Sequence, residues 1–145
     1  EGADLGQRLT QAFRELFRLG YTRILIIGID CLALTPSFLV RSFAALERHE
    51  VVIGPSASGG FYLLGLRRLP RGLLDNVPWG TPGVFDRALQ NTAQAGLPSL
   101  ILPIHHEVET IEDAGAILGS SYANQLPLPL VEILSELAGI PPPPG

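Results

Sequence analysis

The chain has 145 residues, the size of one domain, and is long enough to bury a substantial core. Hydrophobic residues make up 46% and charged residues 17%, which excludes a disordered chain, and a net charge of −4 argues against a nucleic-acid binder. A single cysteine, Cys31, excludes an intrachain disulfide, and no apolar run approaches the roughly twenty residues of a membrane span, so we predict a cytoplasmic protein that does not contact a membrane.

Helical and extended patterns alternate along the chain. Helix signals are Gly20 as a stop, Thr35-Pro36 as a cap with proline at the first helical position, and Thr110 followed by Asp113 as a capping box. The predicted elements, in chain order, are a helix over 5–17, a strand over 23–29, a helix over 35–46, strands over 51–54 and 61–66, a helix over 81–96, a strand over 99–104, and helices over 110–118 and 130–137.

This alternation predicts an α/β fold with a largely parallel sheet. We expect one domain over residues 1–140, followed by a proline-rich tail at 141–145. The strand over 23–29 is a continuous apolar run, typical of a central strand with neighbours on both sides. Few other strands are predicted, so the chain has the pattern of the later part of a larger α/β domain. A partner chain or a second copy, in a homo-oligomer, would then cover the bare edge of this strand.

The turn between the strands over 51–54 and 61–66 contains Ser58, Gly59 and Gly60. Paired glycines have two explanations. One is turn geometry, since glycine adopts positive φ without steric cost. The other is close approach of a ligand to the backbone, which a missing Cβ allows. The turn's own sequence leaves both explanations open.

Acidic side chains follow two of the predicted strands. In open α/β sheets ligands bind beyond the carboxyl ends of the strands, where Asp30 lies. A carboxylate there can hold a divalent cation that bridges substrate phosphates, although an Asp at this place is also common in turns. Glu107 and Glu109 alternate in an extended segment, and either could complete a metal site with Asp30.

Two further groups of side chains could carry chemistry. Adjacent His105 and His106 would point to opposite faces of a strand, which argues against a shared zinc ion. Cys31 could pair with either histidine as a nucleophile, but nothing in the spacing singles this out from a buried bystander cysteine. Trp79 could stack on a base or sugar, or shield the core before a helix that Thr81 caps.

Five stretches occur in a familiar order: ADLGQRL at 3–9, GIDCLAL at 28–34, GPSASGGFYLLGL at 54–66, PWGTPGVF at 78–85 and EVETIEDA at 107–114. This order resembles an uncharacterised bacterial family of glycosyltransferase-A-like proteins, of the nucleotide-diphospho-sugar transferase type. It is more distantly similar to the molybdenum-cofactor and phospholactate guanylyltransferases. The resemblance implies a Rossmann-like three-layer α/β/α fold with a mostly parallel mixed sheet, incomplete at its amino-terminal side.

The resemblance also implies site residues. Asp30 and Glu109 correspond to metal ligands for Mg²⁺ or Mn²⁺, with Asp30 also placed in the catalytic centre. Gly59-Gly60 correspond to a turn that lies against the acceptor or sugar phosphate, so the resemblance favours the interpretation that these glycines make room for a ligand. The chain departs from the family pattern: Leu32-Ala33 replaces Pro-Asp, Ser58 replaces an Asp, and two late aspartates are glutamates. No lysine-bearing glycine-rich loop is present, since the chain contains no lysine.

Two functions follow as hypotheses. The first is a metal-dependent glycosyltransferase or nucleotidyltransferase that binds a nucleotide or nucleotide-sugar and an acceptor. The alternative is a catalytically inactive, truncated or degenerate domain that serves as an assembly or binding module.

Overall fold

The computed structural model describes residues 4–28, 31, 34–105, 110–120 and 123–141. Its elements, in chain order, are α1 (Leu5–Arg18), β1 (Ile24–Ile27), α2 (Pro36–Ala45), β2 (Val51–Pro55), β3 (Phe61–Leu66), α3 (Val84–Gln94), β4 (Ser99–Ile101), α4 (Ile111–Leu118), a 3-10 turn (Ala123–Gln125) and α5 (Leu128–Ala138). Every predicted helix and strand is present, and the 3-10 turn is an addition.

Side-chain caps determine where three of the helices begin. The Asp4 carboxylate accepts a hydrogen bond from the backbone of the first turn of α1, at 2.8 Å. Thr35 accepts one from the amide of Phe38 at 3.2 Å and precedes proline at the first position of α2. The capping box predicted at α4 is confirmed, because Thr110 and Asp113 each accept from the other's backbone N–H.

The four strands form one sheet in the order β1-β3-β2-β4. β3 runs antiparallel to both β1 and β2, while β2 and β4 are parallel, so β1, β2 and β4 point the same way. This confirms a mixed sheet in which three of the four described strands point the same way, although only the β2–β4 pair is parallel. β3 is reversed because a turn of five residues, 56–60, is too short to cross over to a parallel strand. Within the described residues β1 pairs with β3 alone, so the expected second neighbour of β1 is not seen there.

Helices cover both faces of this sheet in three layers. One core packs α1 and α3 against one face of the sheet. Its buried residues are Phe13, Ile24, Val51, Ile53, Leu64, Leu66, Leu73, Leu74, Ala88 and Leu97. The other core joins the opposite face to α2 and contains Cys31, Leu46, Val52, Tyr62 and Leu63. A third cluster packs α4 against α5. The described part of the chain has no helix both long and apolar enough to cross a membrane.

Several element boundaries differ from the predictions, among them those of α3, α5 and β4. α3 begins at Val84 with Gly83 as its N-cap, and α5 begins at Leu128 rather than at residue 130. β4 ends at Ile101 instead of continuing to residue 104. The amide of Leu102 still donates to the carbonyl of Ile53, but Pro55, two residues further along β2, has no N–H to continue the ladder. Pairing with the flank of β2 returns at His105, in a single parallel bridge to Ser56.

Candidate functional site

The carboxyl ends of β1, β2 and β4 share one edge of the sheet because these strands are parallel. Cys31 lies shortly after β1, the turn 56–60 follows β2, and His105 lies shortly after β4. This is the edge where open α/β sheets bind their ligands. Among the described residues, Cys31, the turn 56–60 and His105 therefore lie at one edge of the sheet.

Gly59 is required by the fold itself. Its φ is +93°, a conformation that side chains with a Cβ rarely adopt, and a Cβ built there would lie 2.2 Å from the carbonyl oxygen of Pro82. Its N–H donates to the carbonyl of Ser56 at 3.0 Å, and its own carbonyl accepts from the amide of Phe85 at 2.9 Å. The space left by the missing Cβ is thus filled by the protein, contrary to our interpretation that this glycine makes room for a ligand. A substrate-binding role for Gly59 stays a prediction.

Gly60 and Ser58 differ from Gly59 in their surroundings. A Cβ on Gly60 would meet the Ser56 hydroxyl oxygen at 3.3 Å, and φ of Gly60 is not positive. The Gly60 carbonyl accepts from the Ser56 amide at 3.0 Å, which closes the turn. The Ser58 side chain is exposed, and its hydroxyl oxygen lies 3.3 Å from that of Ser56. Ala57 and Ser58 are therefore the exposed residues of this turn, whereas Gly60 is partly buried beside Ser56.

Trp79 and Thr81 pack beside the turn. The Trp79 ring lies edge-on to Phe61 at 6.0 Å between centroids and is partly buried against the larger core. This contact fits the core-shielding interpretation; stacking on a ligand stays a prediction. We expected Thr81 to cap α3, and it does not. Its hydroxyl donates to the carbonyl of Pro78 at 2.7 Å and accepts from the amide of Gly83 at 3.3 Å. These bonds hold a tight turn ahead of the helix.

A buried cluster lies beneath this edge. The Cys31 sulfur is 3.7 Å from Nδ1 of His105, and the two residues are 6% and 1% exposed. The His105 ring stacks on Tyr62 at 4.4 Å with 5° between the planes, and Phe38 of α2 approaches it at 5.1 Å. The structure thus brings together a pair that the sequence left undistinguished from alternatives.

Backbone geometry places Tyr62 in this cluster. The β2–β3 register shifts at Gly54/Pro55, and this irregularity puts Tyr62 and Leu63 in the same core cluster. Gly54 is needed for the same reason, because a Cβ there would lie 2.3 Å from the Tyr62 ring. The Tyr62 hydroxyl donates to the carbonyl of Pro103 at 2.9 Å, and the Tyr62 carbonyl accepts from Gly28 at 2.9 Å. Tyr62 thus connects β3 with the end of β1 through its backbone carbonyl and with the segment after β4 through its side chain.

The predicted metal ligands, Asp30 and Glu109, lie outside the described residues. Glu107 and His106 do so too, and their roles stay predictions. Among the residues that the structure describes, no three His, Cys, Asp or Glu side chains are grouped so as to hold a metal ion.

Two cavities lie away from this edge. One cavity, of about 760 Å³, is lined by residues of α1 and by residues 74–76. The other, of about 580 Å³, is lined by residues of α1 and by residues 67–75. The second contains Arg67, Arg68 and Arg71, the one arginine cluster of the sequence, together with Arg14. Arg67 follows the end of β3, which pairs with the beginnings of β1 and β2, so this cavity is at the opposite edge of the sheet. Neither cavity includes a predicted site residue.

Comparison with known proteins identifies the family. Residues 1–81 match the family described as "Uncharacterized protein conserved in bacteria (DUF2064)". The chain belongs to this family. The match covers more than half of the 145 residues and includes the turn 56–60 and the segment up to Thr81. No curated protein matches the chain.

A solved structure has the same fold. It is the crystal structure of a putative nucleotide-diphospho-sugar transferase from Desulfovibrio desulfuricans G20, 26% identical in sequence, with a TM-score of 0.84. The alignment covers 96% of this chain and 63% of that one, so this chain spans less than two thirds of its neighbour's length. The fold class and the family resemblance drawn from the five sequence motifs are thereby confirmed.

Sequence reasoning missed the importance of Tyr62 and Gly54. Tyr62 lies in a strand of apolar residues, where a tyrosine is an ordinary core residue, and the register shift that turns it toward His105 has no sequence signature. The one available signal in the sequence was the position of Cys31 and His105, each of which follows a predicted strand. Residues that follow parallel strands meet at one edge of the sheet, so this position indicated that the two could be close.

Proposed function

We propose that this chain forms part of the site of a nucleotide-diphospho-sugar-type transferase. The observation that carries the proposal is the fold match to the Desulfovibrio protein over 96% of this chain, at a TM-score of 0.84. Family membership and the convergence of the predicted segments at one edge of the sheet support it. The substrates are a nucleotide or nucleotide-sugar and an acceptor.

In this proposal Asp30 and Glu109 hold a Mg²⁺ or Mn²⁺ ion. Asp30 directly precedes Cys31 in the chain, and Glu109 follows His105 by four residues; Cys31 and His105 are in contact. The two acidic segments therefore start from neighbouring points of the structure, and carboxylates suit a hard divalent cation. Such an ion, when bound, neutralises charge on the nucleotide's phosphates.

The turn 56–60 would position the second substrate. The backbone of Gly59 is fixed by three neighbours, namely Ser56, Pro82 and Phe85, so the turn is rigid before any ligand arrives. Rigid donors contribute more to catalysis than mobile ones because they need no reorganisation during the reaction. The exposed hydroxyls of Ser58 and Thr81 are the side-chain groups that could contact the acceptor or sugar phosphate. Catalysis would then depend on positioning and electrostatics rather than on a strong general base.

Calorimetric titration tests the metal site. Wild-type protein is titrated with Mn²⁺ alone and then with Mn²⁺ plus UDP or GDP, in parallel with Asp30→Asn and Glu109→Gln. We expect metal-dependent nucleotide binding in the wild type and at least about a tenfold loss of affinity in each variant, because an ion with few protein ligands loses a charged one.

The matched control is Asp75→Asn, which removes an exposed carboxylate in the loop before α3. This variant should bind as the wild type does. Wild-type protein that is folded, as judged by circular dichroism, and binds neither Mn²⁺ nor the nucleotides would refute the transferase proposal for this chain.

A second candidate function is assembly, and one observation favours it. Within the described residues β1 has a single hydrogen-bonded neighbour, and Ile27 at its end is 41% exposed. An unpaired strand edge is a template for another chain. Sedimentation velocity should then show a homo-oligomer that Ile27→Lys weakens. A wild-type chain that stays monomeric at high concentration would contradict self-assembly.

A further inference from the structure

Four of the ten arginines line one cavity, at the edge of the sheet opposite the candidate site. They are Arg14 of α1 and Arg67, Arg68 and Arg71 in the segment after β3. Asp75 supplies the single carboxylate among the described lining residues, although acidic residues outnumber basic ones by 14 to 10 in the whole chain. The cavity is therefore a positive region on a protein of net charge −4, and such a region attracts anions.

The charges of these arginines are compensated unequally. The Nε atom of Arg68 lies 3.3 Å from the carboxylate of Glu50, and Arg67 donates to the backbone carbonyl of Glu47 at 3.4 Å. Among the residues that the structure describes, Arg14 and Arg71 form no ion pair with a carboxylate. Single exposed arginines are ordinary, but two uncompensated ones in the lining of one cavity are the arrangement that a bound anion requires.

The segment that carries three of the arginines is held in place by the core. Leu73 is buried there, at 2% exposed, and the side-chain amide of Asn91 in α3 donates to the carbonyls of Leu73 and Asp75, at 2.9 Å each. Gly72 has a φ of +82°, and its carbonyl accepts from the amide of Asp75 at 3.2 Å, which forms a tight turn directly after Arg71. The backbone of this segment is thus ordered before a ligand arrives, which lowers the cost of binding.

The size of the cavity favours a small molecule. Its volume of about 580 Å³ lies within the range of ligand pockets, roughly 300–1,000 Å³. Guanidinium groups suit phosphate in particular, because their planar N–H donors bond two phosphate oxygens at once. A phosphate group is therefore the anion that this lining fits best.

The cavity of about 760 Å³ adjoins it and is more polar. The two share Thr10, Arg14 and Asp75 in their linings, so they form neighbouring parts of one cleft along α1. Gln7, Gln11 and Asn76 line the adjoining part, and their amides are groups that bond to hydroxyls.

We propose that this cleft binds a phosphorylated small molecule with a polar, hydroxyl-bearing body. Arg14 and Arg71 bind its phosphate group, Arg67 adds positive charge, and the body lies toward Asn76. This site is at the opposite edge of the sheet from that of the proposed transferase. It requires neither a metal ion nor the predicted carboxylates, so it stands or falls independently of the proposed function.

NMR titration of the ¹⁵N-labelled chain tests the site, at neutral pH and constant ionic strength, without a divalent cation. The probes are inorganic phosphate, glucose 1-phosphate and, as the uncharged control, glucose. The amides of Gly72 and Asn76 report on the two parts of the cleft. The variants are Arg14→Gln, Arg71→Gln and Arg71→Lys, and the matched control is Arg87→Gln, which removes an exposed arginine of α3 that lines neither cavity.

We expect phosphate to shift the Gly72 amide with a dissociation constant of about 0.1–1 mM, the value for a few charge-assisted bonds near the surface. Glucose 1-phosphate should bind more tightly and shift the Asn76 amide as well, whereas glucose should shift neither. Arg14→Gln and Arg71→Gln should each weaken binding about 5- to 10-fold. Arg71→Lys should lose less, because it keeps the charge without the planar donors, and Arg87→Gln should bind as the wild type does.

Two results would overturn the phosphate site. One is equal weakening by Arg87→Gln and Arg71→Gln, or shifts spread over the surface, since either would show a general attraction of anions to arginines. The other is binding of a single-stranded oligonucleotide with no binding of phosphate or glucose 1-phosphate, which would indicate a different class of partner. If glucose 1-phosphate binds no more tightly than phosphate and leaves Asn76 unshifted, the polar body is refuted while the phosphate site stands.

Discussion

Replacing Gly59 by alanine should destabilise the protein far more than the same change at Gly60. At Gly59 the new Cβ would sit 2.2 Å from the carbonyl oxygen of Pro82 and 2.6 Å from its Cα, at a φ of +93°. The unfavourable φ costs about 1–3 kcal/mol, and moving a packed backbone segment aside costs about 1–3 kcal/mol more. We expect the free energy of unfolding to fall by about 2–6 kcal/mol in total.

Thermal and urea unfolding followed by circular dichroism measure this loss. For a chain of this size each 1 kcal/mol corresponds to about 3 °C, so the midpoint of Gly59→Ala should fall by roughly 6–18 °C. Gly60→Ala is the matched control, since its Cβ would meet rotatable hydroxyls, that of Ser56 at 3.3 Å and that of Ser58 at 3.9 Å. That variant should lose less than about 1 kcal/mol, offset in part by the lower entropy of its unfolded chain.

Equal stability of the two variants would refute the reasoning, because it would mean that Pro82 does not lie against Gly59 in solution. The pair also separates the two explanations of the glycines. A Gly60→Ala protein that is stable but binds nucleotide-sugar less well would indicate close approach of a ligand at Gly60, while Gly59 is fixed by the protein's own backbone.

Three smaller effects should be measurable in the same unfolding assay. Tyr62→Phe should cost about 1–2 kcal/mol, since it leaves the Pro103 carbonyl without the donor now 2.9 Å away; an unchanged stability would contradict that bond. Thr110→Ala should cost about 1 kcal/mol through loss of the capping box of α4, and Thr110→Ser should restore most of it. Arg23→Ala should cost less than about 1 kcal/mol, because its ion pair with Glu47 is exposed, at 42% and 68%; a larger loss would show that the arginine does more than form this pair.

Local patterns predicted the elements better than their arrangement. The caps at Thr35 and Thr110 were readable because capping depends on residues three apart in the chain. The prediction that Thr81 caps α3 was wrong, although it used the same local pattern. The Thr81 hydroxyl does accept a bond from a nearby amide, that of Gly83, but this bond closes a turn ahead of α3. The position of β1 at one end of the sheet order depends on long-range pairing, which no local pattern reports.

The candidate site was predictable in outline and not in detail. The edge follows from strand direction, which places Cys31, the turn 56–60 and His105 together. The contact between Cys31 and His105 could not be chosen from the sequence, because it depends on a register shift in β2 and β3 that turns Tyr62 toward them. The carboxylates Asp30 and Glu109 stay predictions, since both lie outside the described residues.

The adjacent backbone amides of Ser56 and Ala57 should form their hydrogen bonds at different stages of folding. The N–H of Ser56 bonds to Gly60 within one hairpin, whereas the N–H of Ala57 bonds to His105, far along the chain. Short loops close within microseconds, while contacts between distant residues wait for the chain between them to order. In a refolding experiment with pulsed hydrogen exchange, Ser56 should therefore gain protection before Ala57, and simultaneous protection would show that the hairpin does not form on its own. The turn 56–60 would then adopt its shape before the edge of the sheet is assembled, and the bond to His105 would form last.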